Sequence, residues 1–288
     1  MNLKFIKNYK DNDVLRKSFA ELAKNTFGID FETWHHNGYW NDRYICYSYV
    51  DMNRVVSNVS VNKMHLTWEG KTYKAIQIGT VMTDAEYRKQ GLAYKLLEKV
   101  MHDFEDKVDF IYLFGNDSAL NLYKKFDMHE FKEHSYFSKM PSLNGIKFRK
   151  LDLDIDTDLE TMRSLTLKRV SQSDSIGVQS DSHLVMFYCY KTYADCLYFC
   201  EELNAIVVME ERNDTLHIYD VISENLLEIE EVIKSLPIKK ATKVEYHFKP
   251  RDIDVIEKEL IIEDQTLLIK NKSLELKESF RFPAFSHA

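Results

Sequence analysis

The stretch that decides the fold spans residues 76–131, and its centre reads Val81-Met82-Thr83, then Arg88-Lys89-Gln90-Gly91-Leu92-Ala93. The pattern predicts an apolar strand that ends in the first three residues and a helix that begins in the last three. The turn between them leaves backbone N–H groups without helical partners, at the positive end of the helix dipole. We therefore expect this turn to bind an anion, and a pyrophosphate in particular.

Composition limits the classes of protein that fit. The chain has 288 residues, of which 44% are hydrophobic and 13% aromatic, with only 8 glycines and 4 prolines. This length favours two domains, and this composition is typical of a compact globular protein. A formal net charge of -7 disfavours nucleic acid and anionic membranes as partners. No apolar segment has the length of a signal peptide or a membrane helix, so we expect a cytoplasmic protein with no membrane partner.

The order of the expected elements indicates the fold class. In the first half we expect strands near residues 3–6, 43–50, 55–61, 73–83, 110–114 and 130–139, with helices at 11–27, 92–104 and 118–126. This order predicts an α/β fold of the mixed α+β kind, in which a mixed sheet carries helices on both faces. Residues 140–145 combine Pro, Ser, Asn and Gly, which predicts a boundary between a domain at 1–143 and a domain at 144–288. In the second half we expect helices over 159–167 and 226–236, with strands at 146–151, 196–201, 205–210, 216–222, 243–248 and 265–270. This order repeats that of the first half, which indicates duplication.

A second motif follows the first and completes a resemblance. It runs Asn116-Asp117-Ser118-Ala119-Leu120-Asn121-Leu122-Tyr123-Lys124-Lys125-Phe126. Together the two motifs resemble the acyl-CoA-binding core of the GNAT (GCN5-related) N-acetyltransferases. In that family the first motif reads Arg or Gln, two residues, Gly, one residue, Gly or Ala, and the second reads Asn, two residues, Ala, three residues, Tyr. Asp127-Met128 stands where the family commonly has Gly-Phe.

The resemblance implies a tandem GNAT fold, acetyl-CoA as co-substrate and no metal. It assigns coenzyme A binding to residues of both motifs: Val81, Met82, Thr83, Arg88, Lys89, Gln90, Gly91, Leu92, Ala93 and Asn116. Gly91 suits close approach of the backbone to phosphates, which a side chain would obstruct. Tyr123 matches the position of the family's general acid. For Asn116 an equal alternative is that it caps the following helix.

The second half lacks the phosphate turn. Ser223-Glu224-Asn225 follows an apolar strand there, with no glycine and with a carboxylate where the anion would lie. We therefore expect residues 144–288 to be a GNAT-like domain without a cofactor site, whose part is to complete or wall the acceptor pocket.

A cluster of aromatic residues after the first helix is the candidate pocket wall. It reads Trp34-His35-His36-Asn37-Gly38-Tyr39-Trp40, and we take Trp34, Tyr39 and Trp40 as candidate substrate residues. The alternative is that these rings only pack the domain. We expect no metal at His35 and His36, because no further Cys or His lies at ligand spacing, and we expect the four cysteines to be core thiols. No Asp or Glu lies at 76–81, so the general base that would deprotonate the acceptor amine is unassigned. One hypothesis is that the terminal carboxylate of Ala288 is this base.

These features predict an N-acetyltransferase that moves an acetyl group from acetyl-CoA to a primary amine of a small molecule by direct attack. The acidic balance of the chain suggests a polyamine, an amino sugar or an antibiotic as the acceptor. Two alternatives stay open: a coenzyme A-binding regulatory or partner-binding protein that has lost turnover, and a transferase of a larger acyl or aminoacyl group. The sequence leaves the oligomeric state undecided.

Overall fold

The computed structural model describes residues 3–173, 175–271, 276 and 279–287, and in these residues the chain forms fifteen strands and seven α-helices. The helices are α1 (Asp13–Phe27), α2 (Glu32–His36), α3 (Leu92–Phe104), α4 (Leu120–Tyr123), α5 (Asp156–Lys168), α6 (Ser182–Lys191) and α7 (Ile229–Lys234). The strands up to the expected boundary are β1 (Lys4–Lys7), β2 (Tyr44–Asp51), β3 (Arg54–Trp68), β4 (Lys71–Thr83), β5 (Phe110–Gly115), β6 (His129–Phe131) and β7 (His134–Lys139). Those after it are β8 (Arg149–Lys150), β9 (Gly177–Gln179), β10 (Leu197–Cys200), β11 (Ala205–Arg212), β12 (Thr215–Ser223), β13 (Lys243–Tyr246), β14 (Ile256–Glu259) and β15 (Thr266–Asn271).

The strands form two mixed sheets with the same pattern of pairing. The first has the order β1-β2-β3-β4-β5-β15-β6, with β9 paired to β3, and the second has the order β8-β10-β11-β12-β13-β7-β14. One neighbouring pair in each sheet is parallel, β4 with β5 and β12 with β13. The predicted mixed α/β architecture is therefore confirmed, and its two copies share one strand plan.

Each sheet takes its sixth strand from the other half of the chain. β15 lies antiparallel between β5 and β6, whereas β7 lies antiparallel between β13 and β14. The expectation of one strand over 130–139 is thus wrong, because the chain crosses between the sheets at residues 132–133. The placement of the strand at 265–270 in the second sheet is wrong as well. The boundary after residue 143 stays a prediction, and each half supplies one strand across it.

Three elements of the second half have no counterpart in the sequence-based prediction: β9, α6 and β14. In α6 the buried residues surround the helix, since His183, Leu184, Val185, Met186 and Cys189 are all buried. A helix covered on all sides has no amphipathic period, which is the signal that reveals a helix in a sequence. The strands β9 and β14 contain only three and four residues.

The aromatic C-terminal segment lies between the two sheets. Phe280 and Phe282 pack in a cluster with β5, and Phe285 packs in a cluster with β11 and β12. Arg281 donates to the carbonyl of Tyr246 at 3.1 Å. This segment is therefore core, as its composition predicts, and it ties the sheets together. No helix in the described residues is long and apolar enough to cross a bilayer.

Candidate active site

A cleft opens in the first sheet where β4 and β5 separate. The two strands pair in parallel over residues 75–77 and 110–112, and their pairing ends there. β4 continues to Thr83 while it stays paired to β3 on its other side. In the described part of the chain, the edge at Val81, Met82 and Thr83 thus has no strand on its β5 side. Backbone groups at such an edge are available to a ligand that offers amides.

A bulge in β4 accompanies this separation. The register between β3 and β4 shifts at Thr80 and Val81, and Thr80 has a positive φ of 48°. The carboxamide of Asn58 donates to the carbonyl of Thr80 at 2.9 Å, and the hydroxyl of Tyr44 lies 2.8 Å from Thr80 Oγ1. Two buried side chains therefore hold a backbone conformation that a residue other than glycine seldom adopts. Bulges bend the strand that contains them and redirect its end.

Gly91 forms the N-terminal end of α3. Its φ is 72°, in the left-handed region, and a Cβ built on it would meet no atom within 4 Å. No side chain caps α3, which has 13 residues, so the N–H groups of its first turn are available to a ligand. Open space, free donors and the positive end of a dipole suit a pyrophosphate. The residues present thus fit coenzyme A at this turn.

The other residues of the first motif divide into exposed and buried ones. Arg88, Lys89 and Gln90 are exposed, and Arg88 Nε donates to the carbonyl of Thr83 at 3.1 Å. Leu92 is buried and Ala93 is half-buried, so their available contribution is the backbone. The structure therefore brings two cations and the helix terminus together on one surface, as the motif predicts, and their binding roles stay a prediction.

Tyr123 lies on α4 beneath the end of β5. It is 5% exposed and packs in the cluster that includes Ile78, Leu97 and Leu113. A Cβ on Gly115 would lie 3.0 Å from the Tyr123 ring, so the glycine makes room for this side chain. Burial raises the pKa of Tyr123 to about 12, and its hydroxyl has no hydrogen bond within the described residues. The phenol is thus protonated at neutral pH and free to donate.

Asn116 does not form the helix cap that was one of its two expected roles. Its side chain makes no helix-cap hydrogen bond; instead Nδ2 donates to Asp264 Oδ2 at 2.8 Å. The N–H of Asp117 donates to the other oxygen of Asp264 at 2.9 Å. Asp264 precedes β15, so the exchanged strand also fixes the turn after β5. Coenzyme A binding by Asn116 stays a prediction, with its amide nitrogen already engaged.

A cavity of about 140 Å³ adjoins the β4 bulge. Residues up to Thr80 form one side of it: Phe27, Ile29, Phe31, Trp34, Tyr44 and Thr80. The other side comes from the second half of the chain: Leu184, Phe187, Tyr188 and His287. The His287 ring stacks on Phe114 of β5, with 3.6 Å between ring centroids. The cavity therefore adjoins β4 through Thr80 and β5 through the His287 ring, and both halves wall it.

The three aromatic substrate candidates lie in different surroundings. Trp34 lines the cavity, and its indole N–H donates to the carbonyl of His183 at 2.7 Å. Trp40 is buried behind Trp34, and its indole nitrogen has no partner in the described residues. Tyr39 accepts from Arg163 Nε at 2.7 Å at the contact with α5. Of the three, the structure brings only Trp34 to the cavity.

In the second sheet the two parallel strands also separate, but side chains occupy the space beside them. The parallel pairing of β12 with β13 ends at Ile218, and a register shift follows. The Tyr219 ring packs against Tyr193 and His247, with centroids 4.6 and 4.4 Å away, and Phe285 packs on Tyr193. Residues 223–228 are all described, and none has a positive φ. α7 has only six residues, so the described segment after β12 offers no turn like that at Gly91.

Metal-ligand types come together at one place in the residues described. Nδ1 of His217 lies 3.4 Å from Nε2 of His247 and from Oε2 of Glu245. Arg281 donates to His247 Nδ1 at 2.9 Å, so a cation already occupies this neighbourhood and opposes a second one. The four cysteines are free, and three of them are buried. The expectation of no metal stays a prediction.

Sequence reasoning missed several residues of this region. Gly115 carried a usable signal, since a glycine at the end of a buried strand often marks a close approach. Phe187, Tyr188 and Asp264 carried none, because they reach the first sheet only through the strand exchange and the packing of α6. Ala288, the residue of the terminal-carboxylate hypothesis, lies outside the described residues.

Comparison with known proteins adds the family. A family model for an acetyltransferase (GNAT) domain matches residues 7–130. No curated protein matches the chain. Three solved structures that share its fold at 11 to 15% identity are a conserved protein of unknown function, a probable N-acyltransferase, from Enterococcus faecalis V583, Eis1 from Mycobacterium abscessus and a GCN5-related N-acetyltransferase from Kribbella flavida.

The likeness extends over almost the whole chain. The Enterococcus faecalis protein has a TM-score of 0.59 at 13% identity and is matched over 94% of this chain and 72% of its own. Eis1 has a TM-score of 0.59 at 11% identity, with 93% and 73% covered, and the Kribbella flavida protein has 0.56 at 15%, with 94% and 72% covered. The cleft and the glycine turn both lie within residues 7–130, so the first half of this chain contains an acetyltransferase (GNAT) domain.

Proposed function

We propose that this protein transfers an acetyl group from acetyl-CoA to a primary amine of a small molecule by direct attack. The single observation that carries the proposal is the cleft between β4 and β5, with the Gly91 turn beyond the end of β4 and a partly open cavity beside the β4 bulge. A diphosphate and a thioester carried on one long arm require such an arrangement, with an anion site at some distance from the reacting carbonyl.

The donor would bind along the free edge of β4. The first turn of α3 and the cations of Arg88 and Lys89 suit the pyrophosphate. Backbone groups at Val81, Met82 and Thr83 suit the pantetheine amides, which would pair as another strand does. A backbone N–H at this edge would also stabilise the oxyanion that develops on the thioester carbonyl.

The chemistry needs a neutral amine and a proton for the leaving thiolate. The nitrogen forms a bond to the carbonyl carbon, the carbon–sulfur bond breaks, and the electron pair leaves on sulfur. The Tyr123 phenol, protonated because burial raises its pKa to about 12, would donate a hydrogen bond and then a proton to that sulfur. It would regain its proton through solvent from the attacking nitrogen, which becomes positively charged as it bonds to the carbonyl carbon and must lose a proton to give the amide.

Tyr123→Phe tests this assignment. We expect kcat to fall about a hundredfold, because the phenol acts only as the thiolate develops, while the Kd of coenzyme A stays the same. The matched control is Tyr49→Phe, a half-buried tyrosine that packs against the same apolar cluster. Thiol release and calorimetry provide the two readouts. Unchanged kcat in Tyr123→Phe would remove the tyrosine from the mechanism, and no release with any amine would favour a coenzyme A-binding protein without turnover.

A further inference from the structure

The cavity beside the β4 bulge has the size of one small apolar group. Its volume is about 140 Å³, and an apolar cavity of about 150 Å³ in another protein holds a single benzene ring. A phenyl group or a short alkyl chain fits such a space, whereas a linked pair of sugar rings does not. Size alone therefore selects against the bulkier acceptors that the acidic composition suggests.

The cavity presents an apolar surface because the polar atoms of its lining already form hydrogen bonds within the protein. The Tyr44 and Thr80 hydroxyls bond to each other at 2.8 Å, and the Trp34 indole N–H donates to a backbone carbonyl. The Tyr188 hydroxyl donates to the carbonyl of His287. A ligand that enters thus meets mainly ring faces and aliphatic carbon, which favour an apolar body over one rich in hydroxyl or amino groups.

Fixed charge is absent from the described lining. None of the described lining residues is Asp, Glu, Lys or Arg. Burial, followed by the nearby charge of Arg281, lowers the pKa of His287 to about 3, so its imidazole is neutral at physiological pH. An ammonium group that leaves water requires a carboxylate or an equivalent partner. A polyamine would have to bury several such groups without one.

The position of the cavity relates its occupant to the reaction. Thr80 forms the β4 side of the opening, and His287 stacks on Phe114 at the β5 side. Thr80 lines the cavity and directly precedes Val81 in β4, so a polar end that emerges past Thr80 would reach the edge at Val81 and Met82. The nitrogen then lies where the proposed donor presents its thioester.

We propose that the acceptor is a primary monoamine whose uncharged body is apolar and about the size of one phenyl ring or a short alkyl chain. This inference rests on the proposed function and names the acceptor class of the same site. It replaces the polyamine, amino sugar or antibiotic that the acidic charge balance suggests, because that charge lies outside the cavity.

A series of amines tests the inference in the full-length protein. We expect kcat/KM for benzylamine and n-hexylamine to exceed that for spermidine and glucosamine by at least about tenfold. Within n-alkylamines from ethylamine to dodecylamine, kcat/KM is expected to rise about fourfold for each methylene that enters the cavity and then to level off or fall. Thiol release from acetyl-CoA measures the rate for each amine.

Two variants are expected to shift the amine length with the highest kcat/KM in opposite directions, whereas misfolding would lower kcat/KM for every amine. Phe187→Ala enlarges the cavity and is expected to shift the optimum to longer amines, whereas Ile29→Trp fills it and shifts the optimum to shorter ones. The matched control is Phe199→Ala, which removes a half-buried ring of the same half, on β10 and outside the lining. It is expected to leave the profile unchanged. An optimum that stays in place in Phe187→Ala and Ile29→Trp overturns the inference.

Calorimetry with n-hexylamine separates this inference from the proposed function. Binding of n-hexylamine without transfer to any amine would uphold the acceptor cavity and reject the transferase. Transfer that is faster to spermidine or glucosamine than to the monoamines would uphold the transferase and overturn the acceptor class. Neither binding nor transfer would overturn both.

Discussion

The two sheets share a strand order and a parallel pair that separates, yet among the described residues only the first pair is followed by a glycine turn and a long helix. After β4 the chain reaches Gly91 in a left-handed conformation and then a helix of 13 residues. After β12 it passes through residues 223–228 without a positive φ and forms a helix of six residues. The second cleft is filled by side chains such as Tyr219 and by the C-terminal segment. A shared fold thus supplies the cleft, and local backbone chemistry decides whether a ligand can use it.

The largest expected effect comes from the exchange of β7 and β15 between the two sheets. Residues 1–143 alone lack β15, which leaves one edge of β5 open, removes the partner of β6 and gives β7 no sheet to join. We expect this fragment to lose cooperative unfolding and coenzyme A binding completely, because unpaired strand edges and exposed apolar faces favour aggregation. Circular dichroism during urea titration checks this, with co-expressed 144–288 as the rescue. A monomeric 1–143 that unfolds cooperatively would show that the halves are independent.

Glu133, at the crossing between the sheets, gives the next largest effect. Burial raises the pKa of its carboxyl to about 7, although its Oε1 accepts from the N–H of Phe282 and Arg281 lies near. A carboxyl whose folded pKa is above its unfolded value stabilises the protein most below about pH 4.5 and loses that contribution as the pH rises through about 7. Burying the charged form costs about 3 kcal/mol at most.

Glu133→Gln keeps an acceptor for Phe282 and removes the charge. We therefore expect the free energy of unfolding of this variant, relative to the unchanged protein, to increase by up to about 3 kcal/mol between pH 5 and pH 8. Glu133→Leu, which also removes the acceptor, should destabilise at both pH values. A difference for Glu133→Gln that does not change with pH would mean that the carboxyl stays ionised.

Gly91 tests the local difference between the clefts. Gly91→Ala and Gly70→Ala place a methyl at nearly equal φ, 72° and 73°, and neither Cβ meets an atom within 4 Å. Both should lose about 1 kcal/mol of stability from backbone strain. Only Gly91→Ala should weaken coenzyme A binding, by about tenfold, because the methyl enters the space for the phosphates. Equal Kd values by calorimetry would place the cofactor elsewhere.

The smallest expected effect concerns the loop that enters the exchanged strand. Asp264→Ala removes the acceptor of Asn116 Nδ2 and of the Asp117 N–H. Because this pairing is exposed, we expect kcat/KM to fall only about threefold, with unfolding unchanged. Glu263→Ala, its neighbour outside this contact, is the control. A loss as large as that of Tyr123→Phe would instead give the second half a direct part in catalysis.

The local sequence pattern was sufficient to predict those helices and strands whose own residues show a clear hydrophobic period and turn residues at their ends. The helix expected at 92–104 matches α3, and the strand expected at 73–83 ends at the same residue as β4, because amphipathic spacing and turn residues define both. The crossing at residues 132–133 was missed, since two short strands only two residues apart read as one strand in the sequence. α6 was missed because its whole circumference is buried.

The sequence by itself determined the family motifs, the glycine turn at Gly91 and the position of Tyr123, since each depends on residues that are neighbours in the chain. Only the tertiary structure decided which strands share a sheet and which side chains of the second half, such as Phe187 and His287, wall the cavity. The physical reason is that pairing and packing join segments more than a hundred residues apart. Their complementarity is a property of the folded surfaces and leaves no period in the sequence.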